Sequence, residues 1–240
     1  MLSRFSFRSD TREIMDNLDC DGEVVHQTLR ELEFINKWLG GNAVTLDGLG
    51  KLLAQWGKTD SPIVLADLGC GGGEMLMEIA QWANKRDITM SLTGIDANPH
   101  IVAFARAHAA SYPQIRFVQQ NVLSPEFQHT KFDVIVATLF THHFTADELV
   151  ALFRSFRRQS RMGIVINDIH RHWLAYYAIK ILTTLFSRSA MVRFDAPVSV
   201  LRAFGRSDWE NILRQAGIVH YELNWKWAFR WQLIIPSSRE

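Results

Sequence analysis

Apolar positions change their period along this 240-residue chain. Over residues 22–39, Val24, Val25, Leu29, Leu32, Phe34, Ile35 and Leu39 recur at helical spacing, and Gly40-Gly41 ends the run as a glycine C-cap does. A second helix is predicted over about 43–56. From there, short apolar runs alternate with amphipathic stretches. The runs predict strands over 62–68, 89–95, 115–119, 132–137 and 163–167. The stretches between them predict helices over 74–84, 99–108 and 146–156. This alternation describes an α/β domain, doubly wound, with a mostly parallel sheet covered on both faces.

The alternation breaks after Asp168. An aromatic helix is predicted over 170–187, then a basic loop over 188–193. A helix resumes at about 208–216. Runs at 219–225 and 229–235 are close enough in sequence to pair as an antiparallel hairpin at the sheet edge. There is no internal repeat and no low-complexity linker. The expected organisation is an N-terminal helical cap, 1–44, and one domain, 45–240, with a helical lid insertion at about 170–200.

Composition narrows the class. Hydrophobic residues make up 48% of the chain, enough for a full core. The 26 basic and 25 acidic residues leave a formal net charge of +1, so nothing resembles the electrostatic footprint of a nucleic-acid-binding protein. The two cysteines, Cys20 and Cys70, have neither metal nor disulfide-framework spacing, and a reducing, cytoplasmic setting is expected. The first ten residues lack the apolar core of a signal peptide. The longest apolar stretch, 173–186, is shorter than a membrane span and carries Lys180, so no stable membrane insertion is expected.

The first strand runs Ile63-Val64-Leu65-Ala66-Asp67-Leu68 and turns at once through Gly69-Cys70-Gly71-Gly72-Gly73-Glu74. Such a turn leaves backbone N–H groups at the carboxyl edge of the sheet, where open α/β sheets bind nucleotide-like ligands. A dinucleotide fingerprint needs a third glycine at the position that Glu74 fills. Carboxylates on both sides of the turn, Asp67 and Glu74, repel a pyrophosphate and favour a ligand with cationic groups. S-adenosylmethionine, with an α-ammonium and a sulfonium, is such a ligand. Asp96 ends the second strand where a carboxylate can accept hydrogen bonds from ribose hydroxyls, and Asn121-Val122 follows the third, beside an adenine ring.

With these residues in order, the chain resembles the class I S-adenosylmethionine-dependent methyltransferases from about residue 45 onward. The resemblance rests on Val64 to Gly73, Asp96, the stretch Phe117-Val118-Gln119-Gln120-Asn121-Val122, and Phe132-Asp133-Val134-Ile135-Val136-Ala137. It implies a Rossmann-like seven-stranded sheet with an antiparallel last strand. It also implies that Asp67, Gly69 and Gly71 face the methionine part of the cofactor, with Cys70 and Gly73 among the cofactor-binding residues. Asp96 and Ala97 would hold the ribose, Asn121 and Val122 the adenine, and Thr138 the rim of the fourth strand. The segments Ile35 to Gly41, Asn167 to Arg171 and Ser199 to Phe204 are similar to a narrower bacterial group, quinone-biosynthesis-like and in part associated with type III polyketide pathways.

The acceptor must be read from the later strands. The segment Thr138 to Phe144 lacks the Asn/Asp-Pro-Pro-aromatic signature that planar amino-group methylation usually carries. Its His142-His143 pair supplies a base near neutral pH, and the two side chains are expected to diverge so that one reaches substrate. Asp168 and His170, after the fifth strand, are the alternative bases or assistants, Asp168 having an ordinary alternative as a helix N-cap. No metal is expected at His142, His143, His170 and His172. The aromatic helix, with Trp173, Tyr176, Tyr177, Ile181, Leu182, Leu185 and Phe186, is expected to cover a hydrophobic acceptor, to pack on the sheet, or to form a homodimer contact. The N-terminal helix pair, with Met15 and Asp16 just before it, would close the other side. The expected activity is O-methylation of a hydrophobic phenol or quinol. C-methylation of a quinone precursor and a non-catalytic cofactor-binding scaffold are the alternatives.

Overall fold

A computed structural model describes residues 2–57, 59 and 61–237. The strands β1 (Ile63–Leu68), β2 (Met90–Asp96), β3 (Ile115–Gln119), β4 (Phe132–Thr138), β5 (Ser160–Ile169), β6 (Glu222–Lys226) and β7 (Arg230–Pro236) form one sheet. Its order is β3-β2-β1-β4-β5-β7-β6. The first five strands are parallel, and β7 runs antiparallel between β5 and β6. The predicted hairpin is therefore present at the sheet edge.

Both faces are covered, which is why the central strands are nearly continuous apolar runs. Helices α2 (Gly41–Trp56), α3 (Glu74–Asn84) and α4 (Pro99–His108) bury Leu49, Leu52, Leu76, Ile79 and Ala105 on one face. Helices α5 (Ala146–Gln159) and α8 (Arg206–Gln215) bury Phe153, Phe156, Trp209 and Leu213 on the other. Gly48 lets α2 lie close on the sheet, since a Cβ there would come within 2.7 Å of Val165 Cγ1. Helix α1 (Glu23–Trp38) lies outside α2 and ends, as predicted, at Gly40 in the left-handed region.

The insertion departs from expectation. Helix α6 (Trp173–Phe186) fits the aromatic prediction, but the predicted basic loop is largely helix α7 (Ala190–Arg202), with Pro197 inside it. Ser189 caps α7 by accepting from Val192 N. Burial of Met191, Val192, Val198, Val200 and Leu201 outweighs the backbone hydrogen bond that Pro197 removes. Helix α6 packs on the outer side of α7, so it is α7 that faces the strand ends. Before α1, residues 2–16 run as a strap of two short 3-10 turns across α7. Among the described residues, no helix is long and apolar enough to cross a membrane.

Candidate active site

The turn after β1 is built on left-handed glycines, with φ of +65° at Gly69, +50° at Gly71 and +83° at Gly73. The N–H groups of Gly69 and Cys70 both donate to Ile95 O, at 2.8 and 3.1 Å, which ties the turn to β2. Gly71 N donates to Asp96 Oδ2 at 3.3 Å, and Asn98 N to Asp96 Oδ1 at 3.0 Å. The turn gathers three carboxylates. Burial, then the neighbouring Glu74 and Asp96 charges, raises the Asp67 carboxyl far above its usual range. Burial pushes Glu74 up to about 7 and raises Asp96 as well. Asp67 Oδ1 is buried with no hydrogen-bond partner. None of the three is ion-paired among the described residues.

Beyond β4, Thr141–His143 form one 3-10 turn. His142 Nδ1 lies 2.7 Å from Asp168 Oδ1. Asp168 also accepts from Thr141 Oγ1, His142 N and Ile169 N. Burial alone would raise its carboxyl, but the His142 charge and these hydrogen bonds hold it well below the usual range. Asp168 lies inside β5 rather than at a helix N-cap, and its lone pairs are occupied. These contacts orient the His142 ring against β5. An ionised carboxylate only accepts, so His142 Nδ1 is the donor of this pair.

His143 repeats the arrangement with a different carboxylate. Its Nδ1 is 2.6 Å from Asp16 Oδ1, and Asp16 Oδ2 accepts from Arg202 Nη1. Burial opposes ionisation of Asp16, but the hydrogen bonds and charges of His143 and Arg202 keep its carboxyl below the usual range. The two imidazoles do not diverge. Their centroids are 4.3 Å apart, because the tight turn stacks consecutive side chains. Between them lies Glu13. Its Oε2 accepts from Ser199 Oγ at 2.7 Å, while Oε1, with no hydrogen-bond partner, is 3.6 Å from His142 Nε2 and 3.9 Å from His143 Nδ1. Burial pushes the Glu13 carboxyl up to about 7, against His143, Ser199 and Arg202. Arg202 Nη1 stands 3.6 Å from the same oxygen, so a positive charge is already supplied there. Glu13, His142 and His143 bring ligand atoms within 4.8 Å of one another, the one such group found among the described residues.

The match to known proteins decides the class. Residues 65–163, from β1 into β5, match the family model described as a methyltransferase domain. The chain is a class I S-adenosylmethionine-dependent methyltransferase. It is 26% identical to the carboxy-S-adenosyl-L-methionine synthase of Wolinella succinogenes over 179 residues, 68% of this chain and 71% of that protein. The fold of this methyltransferase is similar to that of the plantazolicin methyltransferase BpumL in complex with a triazolic desmethylPZN analog and S-adenosylhomocysteine. The TM-score is 0.67 at 13% identity, covering 88% of this chain and 90% of the other. It is also similar to the CMeT domain of citrinin polyketide synthase, with TM-score 0.56 at 17% identity over 75% of this chain; that match spans about half, 48%, of the other chain.

The methyltransferase's cofactor is S-adenosylmethionine, and the glycine turn fits it. Three desolvated carboxylates and an orphaned Asp67 oxygen accommodate a ligand bearing an ammonium and a sulfonium. Only Leu29 approaches the space above Gly71, where a Cβ would stand 3.7 Å from its Cδ2. The other predicted cofactor residues divide. Asn121 is exposed at the rim, its Oδ1 accepting from Leu123 N. Val122 is buried in the core, Ala97 O accepts from Gln119 Nε2, and the Thr138 hydroxyl is engaged with Thr45 Oγ1 at 2.8 Å. Cys70 is buried and its thiol raised far above the usual range by burial, so it stays neutral.

The structure places the remaining candidate apart from the histidine pair. His170 contacts His172, Trp225 and Trp231 rather than the paired histidines, and burial lowers it to about 4. Sequence reasoning missed Glu13 and Arg8. Arg8 reaches the carbonyls of His142, Phe144 and Arg202 and stacks on Phe204 at 3.9 Å. Neither lies in a periodic stretch, so no sequence signal marked them. Asp16 had been placed only as closing one side, and Arg202 bridges to that acidic neighbour.

Proposed function

We propose that this methyltransferase O-methylates a hydrophobic phenol or quinol, with His143 as the base. The observation that carries this reading is the pair of carboxylate-held imidazoles beside the cofactor turn. The Asp16 carboxylate fixes the proton on His143 Nδ1, which leaves Nε2 to accept the hydroxyl proton of the acceptor. Asp16, itself held by Arg202, stabilises the imidazolium that results. His143 rather than His142 is assigned because its side chain is 26% exposed against 3%. It is also the histidine near enough to Asp96, at the proposed ribose position, to influence that carboxyl. The cofactor supplies the electrophilic methyl carbon.

The surroundings favour an apolar acceptor. Phe140 and Phe144 flank the histidine turn, and Met15 packs with Val25, Leu29, Ile101 and Met191 beside Asp16. Apolar walls of this kind strengthen the charge interactions on which proton transfer depends. The plantazolicin enzyme, whose fold is similar, was solved with a small-molecule analogue, which accords with a small acceptor here.

The test is His143→Ala, assayed on a panel of alkylated phenols and quinols with product analysis. Turnover should fall by roughly 10²–10⁴-fold, with cofactor affinity by calorimetry unchanged. Full turnover would remove His143 as the base, and a parallel loss of cofactor affinity would make it structural. C-methylated products would overturn the choice of oxygen as acceptor atom.

A further inference from the structure

Helix α6 is apolar on two sides. Ala175, Tyr176, Ile179 and Thr183 face inward, packed with Val200 and Leu201 of α7. Trp173, Leu174, Tyr177, Ile181 and Leu185 recur at spacings of three and four on the opposite side and are exposed, Ile181 by 59% and Leu185 by 69%. A helix in a globular protein normally turns a polar stripe to water. This one ends its outward face in Phe186, 77% exposed.

The apolar face continues into the β6–β7 hairpin. Trp173 stacks near His172, which lies flat on Phe229 at 5.0 Å, and Phe229 meets Trp225 edge-on at 6.1 Å. Trp225 and Trp227 are exposed at that turn, Trp227 by 76%. On the strap side, Phe5 packs edge-on against Tyr176 and Tyr177, and the Arg4 guanidinium lies 4.9 Å above the Tyr176 ring.

The exposed charge on α6 and the loop after it is cationic. Residues 169–194 contain no Asp or Glu. Lys180, Arg188 and Arg193 are exposed, as is Arg4, and none of the four is ion-paired among the described residues. Glu31, which reaches the end of α6, is turned to Ser187 Oγ and Arg188 N. A second copy of the chain fits poorly. An isologous dimer would set the exposed Lys180, Arg188 and Arg193 of one copy against those of the other. Apolar and aromatic side chains framed by unpaired cations, with tryptophans at one end, match the requirements of an anionic lipid surface.

We propose that α6 and the β6–β7 turn dock this methyltransferase onto the surface of a membrane containing anionic lipid. The docking helix packs on α7, whose Ser199 and Arg202 hold Glu13 and Asp16 of the strap against the histidine pair. Docking there delivers the site to an acceptor dissolved in the bilayer. The surface stands independently of that acceptor, because the vesicle assay contains neither acceptor nor cofactor.

The experiment is co-sedimentation of the full chain with phosphatidylcholine vesicles and with vesicles of phosphatidylcholine and phosphatidylglycerol. The chain should pellet with the anionic vesicles and be released by high salt. Ile181→Ser/Leu185→Ser should weaken binding about tenfold or more, and Lys180→Glu about fivefold or more. All three sites are exposed, and thermal melts confirm that the variants fold. Failure of the wild-type chain to pellet overturns the proposal, as does binding unaffected by the double variant. Light scattering is run alongside. A wild-type dimer that the double variant turns into a monomer would assign the face to a second copy and overturn the membrane as its occupant.

Discussion

Glu13→Gln should stabilise the cofactor-free protein above neutral pH. Glu13 is buried, and burial raises its carboxyl from 4.5 to about 7 despite His143, Ser199 and Arg202. Between those two values the folded state holds a proton that the unfolded state has lost. Stability therefore falls as pH rises through that window and stays lowered above it. A shift of this size corresponds to about 3 kcal/mol at 1.36 kcal/mol per pKa unit. Glutamine keeps the shape, can still accept from the Ser199 hydroxyl, and does not ionise. The difference in stability between variant and wild type should be near zero at the acid end and grow through the window. At pH 8 the variant should melt about 5–10 °C higher for a chain of this size. Urea unfolding at several pH values gives the free-energy difference directly. A variant less stable than wild type at pH 8 would refute the reasoning. It would mean that the ionised carboxylate gains more from His143 and Arg202, 3.9 and 3.6 Å away, than burial costs.

Two further substitutions address the cofactor turn. Asp67→Asn should weaken S-adenosylmethionine binding about tenfold or more in calorimetry, while raising the melting temperature of the cofactor-free protein, because burial disfavours the Asp67 charge. Undiminished affinity would remove Asp67 from the cofactor site. Gly69→Ala places a methyl in the left-handed region, where it would meet Phe140 Cδ2 at 2.1 Å. The backbone contribution alone is roughly 1–2 kcal/mol, and a melting temperature equal to wild type would show that the turn does not hold the conformation described.

The sheet was legible because its period is local. Each parallel strand announces itself by a short apolar run, and the helices on either side carry their own caps and periodicity, so α3 and α4 begin and end where the pattern puts them. The cofactor turn was legible for a related reason. Its glycines and its carboxylates Asp67 and Glu74 are contiguous, and Asp96 is one strand away in register, Asp67 pairing with Gly94. The insertion was misread where tertiary burial overrides local signals. Arg188, Arg193 and Pro197 suggest loop, whereas the buried side of α7 makes a helix.

The histidine site shows a different limit. His142 and His143 were visible as residues, but what each does depends on the carboxylate at its Nδ1. One of these comes from β5, 26 residues on, and the other from the strap, 127 residues back. No spacing rule links His143 to Asp16, and Glu13 carries no signal except the company it keeps in the fold. The expectation that neighbouring loop histidines diverge fails because a 3-10 turn brings consecutive side chains together and the carboxylates hold them there. His142 is 2% exposed and Asp168 fully buried, with Arg8 of the strap bonded to the His142 carbonyl. An acceptor reaches His142 only by displacing the strap, and displacing the strap removes Asp16 from His143. On the proposed reading, in which His143 is the base and Asp16 orients it, the strap must therefore be in place for His143 to act.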